Sequence, residues 1–173
     1  DKEIYGQLKQ YLHENQPEDE NRLRLYEDAM LPLAKLYQID KAMEEALSTH
    51  VWLKSGGYLV IEPTEAMTVI DGNTGKYTGK KNKRDTILKI NLEAAAEISH
   101  QMRLRNLSGI ILVDFIDMEE KEDQELLMKT LAVQCARDPV KTTVVDMTRL
   151  NLVEITRKKI RKPLHEQVRL FGR

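Results

Sequence analysis

Cysteine is almost missing from this 173-residue chain, where Cys135 stands alone. That excludes a disulfide within the chain and any zinc motif built on paired cysteines. Cysteine scarcity suits a reducing compartment, so a cytoplasmic location is expected. Long apolar runs are missing too: no stretch approaches the length that spans a bilayer, and no signal peptide is visible. The first residue is Asp1 rather than Met, so an excised fragment or a processed product is expected. His13, His50, His100 and His165 stand at no metal-binding spacing and beside no nucleophile. A P-loop is absent as well. Gly75 to Lys80 has three residues between its glycines where that motif needs four, and Lys81 stands where Ser or Thr would hold the metal.

What is present describes a soluble globular protein, with 41% hydrophobic and 32% charged residues. The formal net charge of −1 hides an asymmetry. Residues 1–50 carry 6 Lys/Arg against 11 Asp/Glu, and residues 51–173 carry 21 against 17. A modest basic excess beside an acidic site suits a polyanionic substrate, and it equally suits an ordinary solvated surface.

The chain reads as an α/β (α+β layered) protein in two parts. In residues 1–50, Ile4, Leu8, Tyr11 and Leu12 share one helical face over 1–13. Glu14 to Asn21 is polar and reads as a loop, and Arg22 to Tyr26 alternates like an exposed strand. A short helix broken near Pro32 and a helix capped by Asp40 over 41–48 follow. From Val51 the texture changes. Val51–Leu53 is a short strand, Ser55-Gly56-Gly57 a turn, and two apolar runs, 58–62 and 66–71, flank a Pro63-Thr64-Glu65 connection. A glycine-rich loop from Gly72 to Arg84 leads to a helix starting between Thr86 and Asn91 and ending near Arg105. The run 109–114 is another strand. A helix over 119–136 is expected to turn Leu126, Leu127, Leu131, Ala132 and Cys135 inward. Strands at 142–146 and 152–156 precede a basic end broken by Pro163. This alternation indicates a layered α/β domain over 51–173.

Two of the apolar runs end on aspartate, Asp71 and Asp114. Ligands gather just past strand ends in such layers, and carboxylates from neighbouring strands can meet there. Two of them make a site for Mg²⁺, which takes one or two carboxylates and leaves waters and phosphate oxygens to fill its shell. Aspartates also close strands simply as turn formers or caps, and that alternative stands beside the metal. Asn73 either orients a carboxylate or is a turn residue after Gly72. Asp117 reads more readily as a helix cap than as an acid behind the metal. Asp146 is a conceivable third ligand or a partner of Arg149. Lys76, Lys80, Lys81, Lys83 and Arg84 form a cationic loop that could follow a nucleic-acid backbone. Arg103 and Arg105 end the long helix, where the dipole alone favours cations, and Arg157 and Lys158 open the basic tail.

These residues resemble a known family. Ser55-Gly56-Gly57, Ile61 to Ala66, Ile70-Asp71-Gly72-Asn73, Asn91 to Ala95, Gln101 to Leu107 and Asp114 to Met118 stand in the order and spacing of the ribonuclease E/G family. The resemblance implies a DNase I-like catalytic subdomain over 51–173, preceded over 1–50 by the end of an RNase H-like subdomain. It implies a Mg²⁺-dependent (or Mn²⁺-dependent) endoribonuclease that cuts single-stranded RNA to leave 5′-phosphate and 3′-hydroxyl ends. Asp71 and Asp114 match the metal-binding aspartates and Asn73 the supporting asparagine. The metal would polarise the phosphate and help generate hydroxide, and no residue stands out as a general base. Family members carry an S1 RNA-binding domain and a 5′-end sensor upstream, which this chain lacks, and commonly a paired-cysteine zinc link joining protomers. One cysteine cannot form that link, so no zinc site is expected here, and a homo-oligomer is expected only of the full-length protein. A truncated, weakly active or inactive fragment is therefore the expectation. The competing expectation is a non-catalytic RNA-binding or assembly module that uses the basic loop 76–84 and the basic tail.

Overall fold

The structure is a computed structural model and describes residues 1–75 and 83–171. The chain divides into two compact units, Asp1–Met43 and Glu44–Arg173.

In the first unit, helix α1 (Lys2–Asn15) begins where the Asp1 carboxylate accepts from the Glu3 and Ile4 N–H groups at 2.8 and 3.1 Å. Such a cap satisfies donors that the first turn leaves unpaired. The expected loop at 14–21 contains a 3₁₀ helix, Pro17–Arg22. Pro17 at its start supplies a preset φ and has no N–H to leave unpaired. The strand expected at 22–26 does not form: Arg22 closes the 3₁₀ helix, and 23–26 pair with no strand among the described residues and run on as coil. Helix α2 (Leu33–Leu36) starts directly after Pro32 rather than breaking there. Helix α3 (Ile39–Leu47) begins before Asp40, which therefore lies in its first turn instead of capping it.

The second unit is built on a six-stranded mixed sheet in the order β1-β2-β3-β4-β6-β5. Its strands are β1 (His50–Trp52), β2 (Tyr58–Pro63), β3 (Met67–Asn73), β4 (Gly109–Asp114), β5 (Thr142–Met147) and β6 (Leu152–Arg157). Every pairing is antiparallel except β3 with β4. A parallel pair needs a crossover, and helix α4 (Lys83–Leu104) supplies it. Helix α5 (Lys121–Cys135) connects β4 to β5, and α6 (Leu164–Phe171) follows Pro163.

One face of the sheet is apolar and covered. Leu59, Ile61, Ile70, Ile111, Val113, Val153 and Ile155 alternate inward and pack against Ile90, Ala94, Ala95, Ile98 and Met102 of α4 and Leu127, Leu131 and Cys135 of α5. Period-2 strands meeting period-3.6 helices produce this single layered core. Leu126 and Ala132, expected inward, are exposed on α5. Asp123 takes an inward position instead, held by Arg84. Helix α4 starts at Lys83, several residues before the expected start, because its first turn is cationic and apolar periodicity begins only afterwards. It ends on Asn106 in the left-handed region, φ 49°, with the Leu107 N–H returning to the Met102 carbonyl at 3.0 Å.

Among the described residues no helix is long and apolar enough to cross a membrane.

Candidate metal and RNA site

Asp71 and Asp114 are register partners at the C-terminal end of the parallel β3–β4 pair. Their side chains therefore leave the same face of the sheet, the one opposite the helices. Ile70 before Asp71, and Val113 and Phe115 flanking Asp114, point into the core: Ile70 and Val113 are fully buried and Phe115 is nearly so. Alternation thus fixes both aspartates outward, and a slip of one residue in either strand would send one of them into the core.

Asn73, two residues beyond Asp71 and on the same face, donates from Nδ2 to Asp71 Oδ2 at 2.9 Å. Partial burial, then the charges of Asp71 and Asp117, raise the Asp114 pKa above the ordinary carboxylate value. Two carboxylates side by side favour protonation of one or a cation between them. Asp117 is not the cap of the helix that follows it. Helix α5 begins at Lys121 with Glu120 at its N-cap position. Asp117 Oδ1 instead accepts from Asn151 Nδ2 at 3.3 Å and adds its charge to the field at Asp114. Asp146 lies on β5 and is paired with Glu154, which pairs with Leu112 rather than Asp114. It is not brought to the carboxylate pair. Its Oδ1 accepts from the Met147 N–H, and no contact with Arg149 accompanies it among the described residues.

Two residues of α4 hold segments that adjoin this site. Asn91 is fully buried, donates from Nδ2 to the Ile116 carbonyl at 2.8 Å and accepts from the Ile116 N–H at 3.1 Å. That fixes the segment between Asp114 and Asp117. The Glu93 carboxylate accepts from the Lys54 and Ser55 N–H groups at 2.6 and 3.1 Å. Burial opposes its charge, but these hydrogen bonds prevail and hold the carboxyl below its ordinary pKa. The turn it clamps packs on the end of β3. A Cβ at Gly57 would meet the Asn73 carbonyl oxygen at 2.8 Å, and one at Gly75, whose φ is +64°, would meet the Gly56 oxygen closer still. Only glycine admits that approach. Sequence reasoning assigned neither Asn91 nor Glu93 a role. The available signal was an asparagine on the apolar stripe of a helix, which needs buried partners.

The cations stand in separate places. Lys83 and Arg84 open α4 and line a cleft of about 490 Å³ together with Asp117, Met118 and Asp123. Arg84 grips Asp123 through Nε and Nη2 at 2.7 and 3.0 Å, which raises the arginine pKa and lowers that of the acid. Lys76, Lys80 and Lys81 lie outside the described residues. The other four are not brought to the carboxylates. Arg157 pairs with Gly109, at the opposite end of β4 from Asp114 and so roughly 17 Å away along the strand. Its side chain is 3% exposed and bound to Asp138 at 2.7 Å, so it presents no charge to a ligand. Lys158 follows it at the same end. Arg105 is buried and committed through Nε to Gln101 and through Nη1 to the Ser48 carbonyl, both at 2.6 Å. Burial lowers its pKa. Arg103, half-buried, donates to Ser99 Oγ at 2.8 Å. The expectation of RNA contacts at Arg105 and Arg157 is corrected on this ground.

Among the described residues no group of three or more His, Cys, Asp or Glu clusters to cage a metal. The oxygen donors at the strand ends suit a hard cation that keeps several waters.

The model of the ribonuclease E/G family matches residues 1–160. The chain belongs to the ribonuclease E/G family. It is 44% identical to ribonuclease G of Haemophilus influenzae over 92% of the chain and 32% of that protein. Identity to ribonuclease G of Escherichia coli K12 is 41%, with the same coverage of both. Ribonuclease E of Nostoc sp. is 45% identical over 82% of the chain and 20% of its own length. The chain thus spans about a third or less of these ribonucleases. Within the family match lie Asp71, Asn73 and Asp114 and the two α4 residues that support their loops.

Proposed function

We propose that this chain carries the metal centre of a ribonuclease E/G-type endoribonuclease, with Asp71 and Asp114 as metal ligands and Asn73 fixing the Asp71 carboxylate. The observation that carries the reading is the in-register pairing of Asp71 with Asp114 on parallel neighbours, in a chain of this family. Mg²⁺ is the proposed ion, with Mn²⁺ able to replace it, because both donors are carboxylate oxygens. When bound, it supplies Lewis-acid polarisation of a phosphate and acidifies water. The chain's own residues do the rest. Asn73 holds Asp71 in one orientation, and Asn91 and Glu93 fix the two loops. Lys83, which lines the cleft, meets the phosphate backbone. Arg84 positions the cleft wall through Asp123.

The substrate is single-stranded RNA and the products carry 5′-phosphate and 3′-hydroxyl ends. Residues 51–173 correspond in this reading to a DNase I-like subdomain and 1–50 to the end of an RNase H-like one. The longer protein works in the cytoplasm as a homo-oligomer, and this segment alone cuts weakly. The test is incubation of the chain, at high concentration, with a labelled single-stranded oligoribonucleotide and Mg²⁺. Slow cleavage to 5′-phosphate ends, abolished by Asp114→Asn and by chelation, is expected. Cleavage that survives both, or that leaves 3′-phosphate or cyclic phosphate ends, overturns the reading.

A further inference from the structure

The sheet face that carries the aspartates also carries an aromatic cluster. Register pairing places Tyr58 opposite Asn73, and Trp52 opposite Tyr58. These three form a row across β3, β2 and the edge strand β1, beside the row His50, Val60, Asp71 and Asp114. The Trp52 and Tyr58 ring centroids are 5.2 Å apart and the planes are inclined at 53°. The His50 ring centroid, on the same strand as Trp52, is 5.9 Å from that of Tyr58. Trp52 is 71% exposed and is the one tryptophan of the chain. A large indole placed outward on an edge strand beside a second ring is a surface that gains by being covered.

From this arrangement we propose that Trp52 and Tyr58 form a nucleobase-stacking subsite, which takes an unpaired base of the RNA whose phosphate lies at Asp71 and Asp114. The inference rests on the metal-centre reading above and adds where the substrate is gripped. Neighbouring strands are about 4.8 Å apart, so Tyr58 and Trp52 lie roughly 5 and 10 Å from Asn73 across the sheet. That is within the span of a nucleotide or two of single strand. The chemistry also fits, since bases of any sequence offer a π-face to an aromatic platform, whereas a base paired in a duplex cannot reach one. Such a subsite favours single strands over duplex without reading sequence. It supplies apolar affinity where the neighbouring carboxylates would repel a phosphate.

A lone tryptophan makes the test direct. The parent chain, with Mn²⁺ present, is titrated with a short oligoadenylate and with an abasic ribose-phosphate oligomer of equal length while Trp52 fluorescence is followed. Affinity of Trp52→Ala and Trp52→Phe for the oligoadenylate is measured in parallel by anisotropy. Saturable quenching by the oligoadenylate and none by the abasic strand is expected. Trp52→Ala should lose on the order of tenfold in affinity and Trp52→Phe should retain most of it. Absence of quenching by the oligoadenylate, or equal affinity in Trp52→Ala, overturns the subsite. So does a Trp52-dependent dimer seen by sedimentation without quenching, which would make the patch an interface between copies. Mn²⁺ binding in the same samples separates the two readings. If it persists while quenching is absent, only the stacking subsite falls, and if both are absent the metal-centre reading falls with it.

Discussion

Asn91 holds both polar groups that Ile116 presents: its amide donates to the Ile116 carbonyl at 2.8 Å and accepts from the Ile116 N–H at 3.1 Å. The pair ties the middle of α4 to the backbone that runs from Asp114 to Asp117. Replacing Asn91 with alanine leaves a buried donor and a buried acceptor without partners, each costing about 1–3 kcal/mol. Asn91→Ala should therefore be less stable by about 2–4 kcal/mol, a Tm lower by roughly 5–15 °C. Below that Tm, Mn²⁺ affinity should fall as well, because the loop after Asp114 is no longer held. Thermal melts and metal titration of one sample check both.

The carboxylate pair stores a repulsion. Like charges side by side in a sheet cost a few tenths to about 1 kcal/mol. In metal-free protein, Asp71→Asn or Asp114→Asn should raise Tm by about 1–3 °C. Millimolar Mn²⁺ should reverse the order, stabilising the parent and leaving the variants unchanged, since only a state that binds the ion gains from it. Paired melts with and without the ion read this out.

Asp138 and Arg157 form a buried ion pair, 1% and 3% exposed, with Arg157 also donating to the Asn106 side chain and the Leu107 carbonyl. Burial opposes the Asp138 charge, but Arg157, the Val140 N–H and Thr142 hold its pKa below the ordinary value. A depressed carboxyl contributes stability that is present above the unfolded pKa of about 3.9 and is lost as pH falls through the folded one. The parent should accordingly weaken below about pH 4, and Asp138→Asn should flatten that part of the profile. The variant should also lose about 3–5 kcal/mol at neutral pH by stranding the guanidinium. Denaturant melts across the acid range decide it.

The legible part of this molecule was what local pattern determines. Apolar runs marked β3 and β4, Thr64 marked the link between β2 and β3, and Asp114 ended β4 as expected, while β3 ran two residues past Asp71 to Asn73. That β3 and β4 are immediate neighbours with Asp71 opposite Asp114 is a matter of register, set by long-range packing that no local window contains. The same holds for Arg105 and Arg157, whose charge suggested surface and whose partners lie 57 and 19 residues away in sequence. Arg22 to Tyr26 failed the other way. Its alternation was real, but a strand needs a neighbour, and among the described residues none pairs with it.

The most direct measurement is calorimetric titration of Mn²⁺ into the parent chain and into the Asp71→Asn/Asp114→Asn double variant, with circular dichroism to verify the fold. The account predicts one saturable site in the parent and none in the variant, the fold being kept. Equal binding by both proteins would contradict it, because the strand-end carboxylates would then not be the metal's ligands.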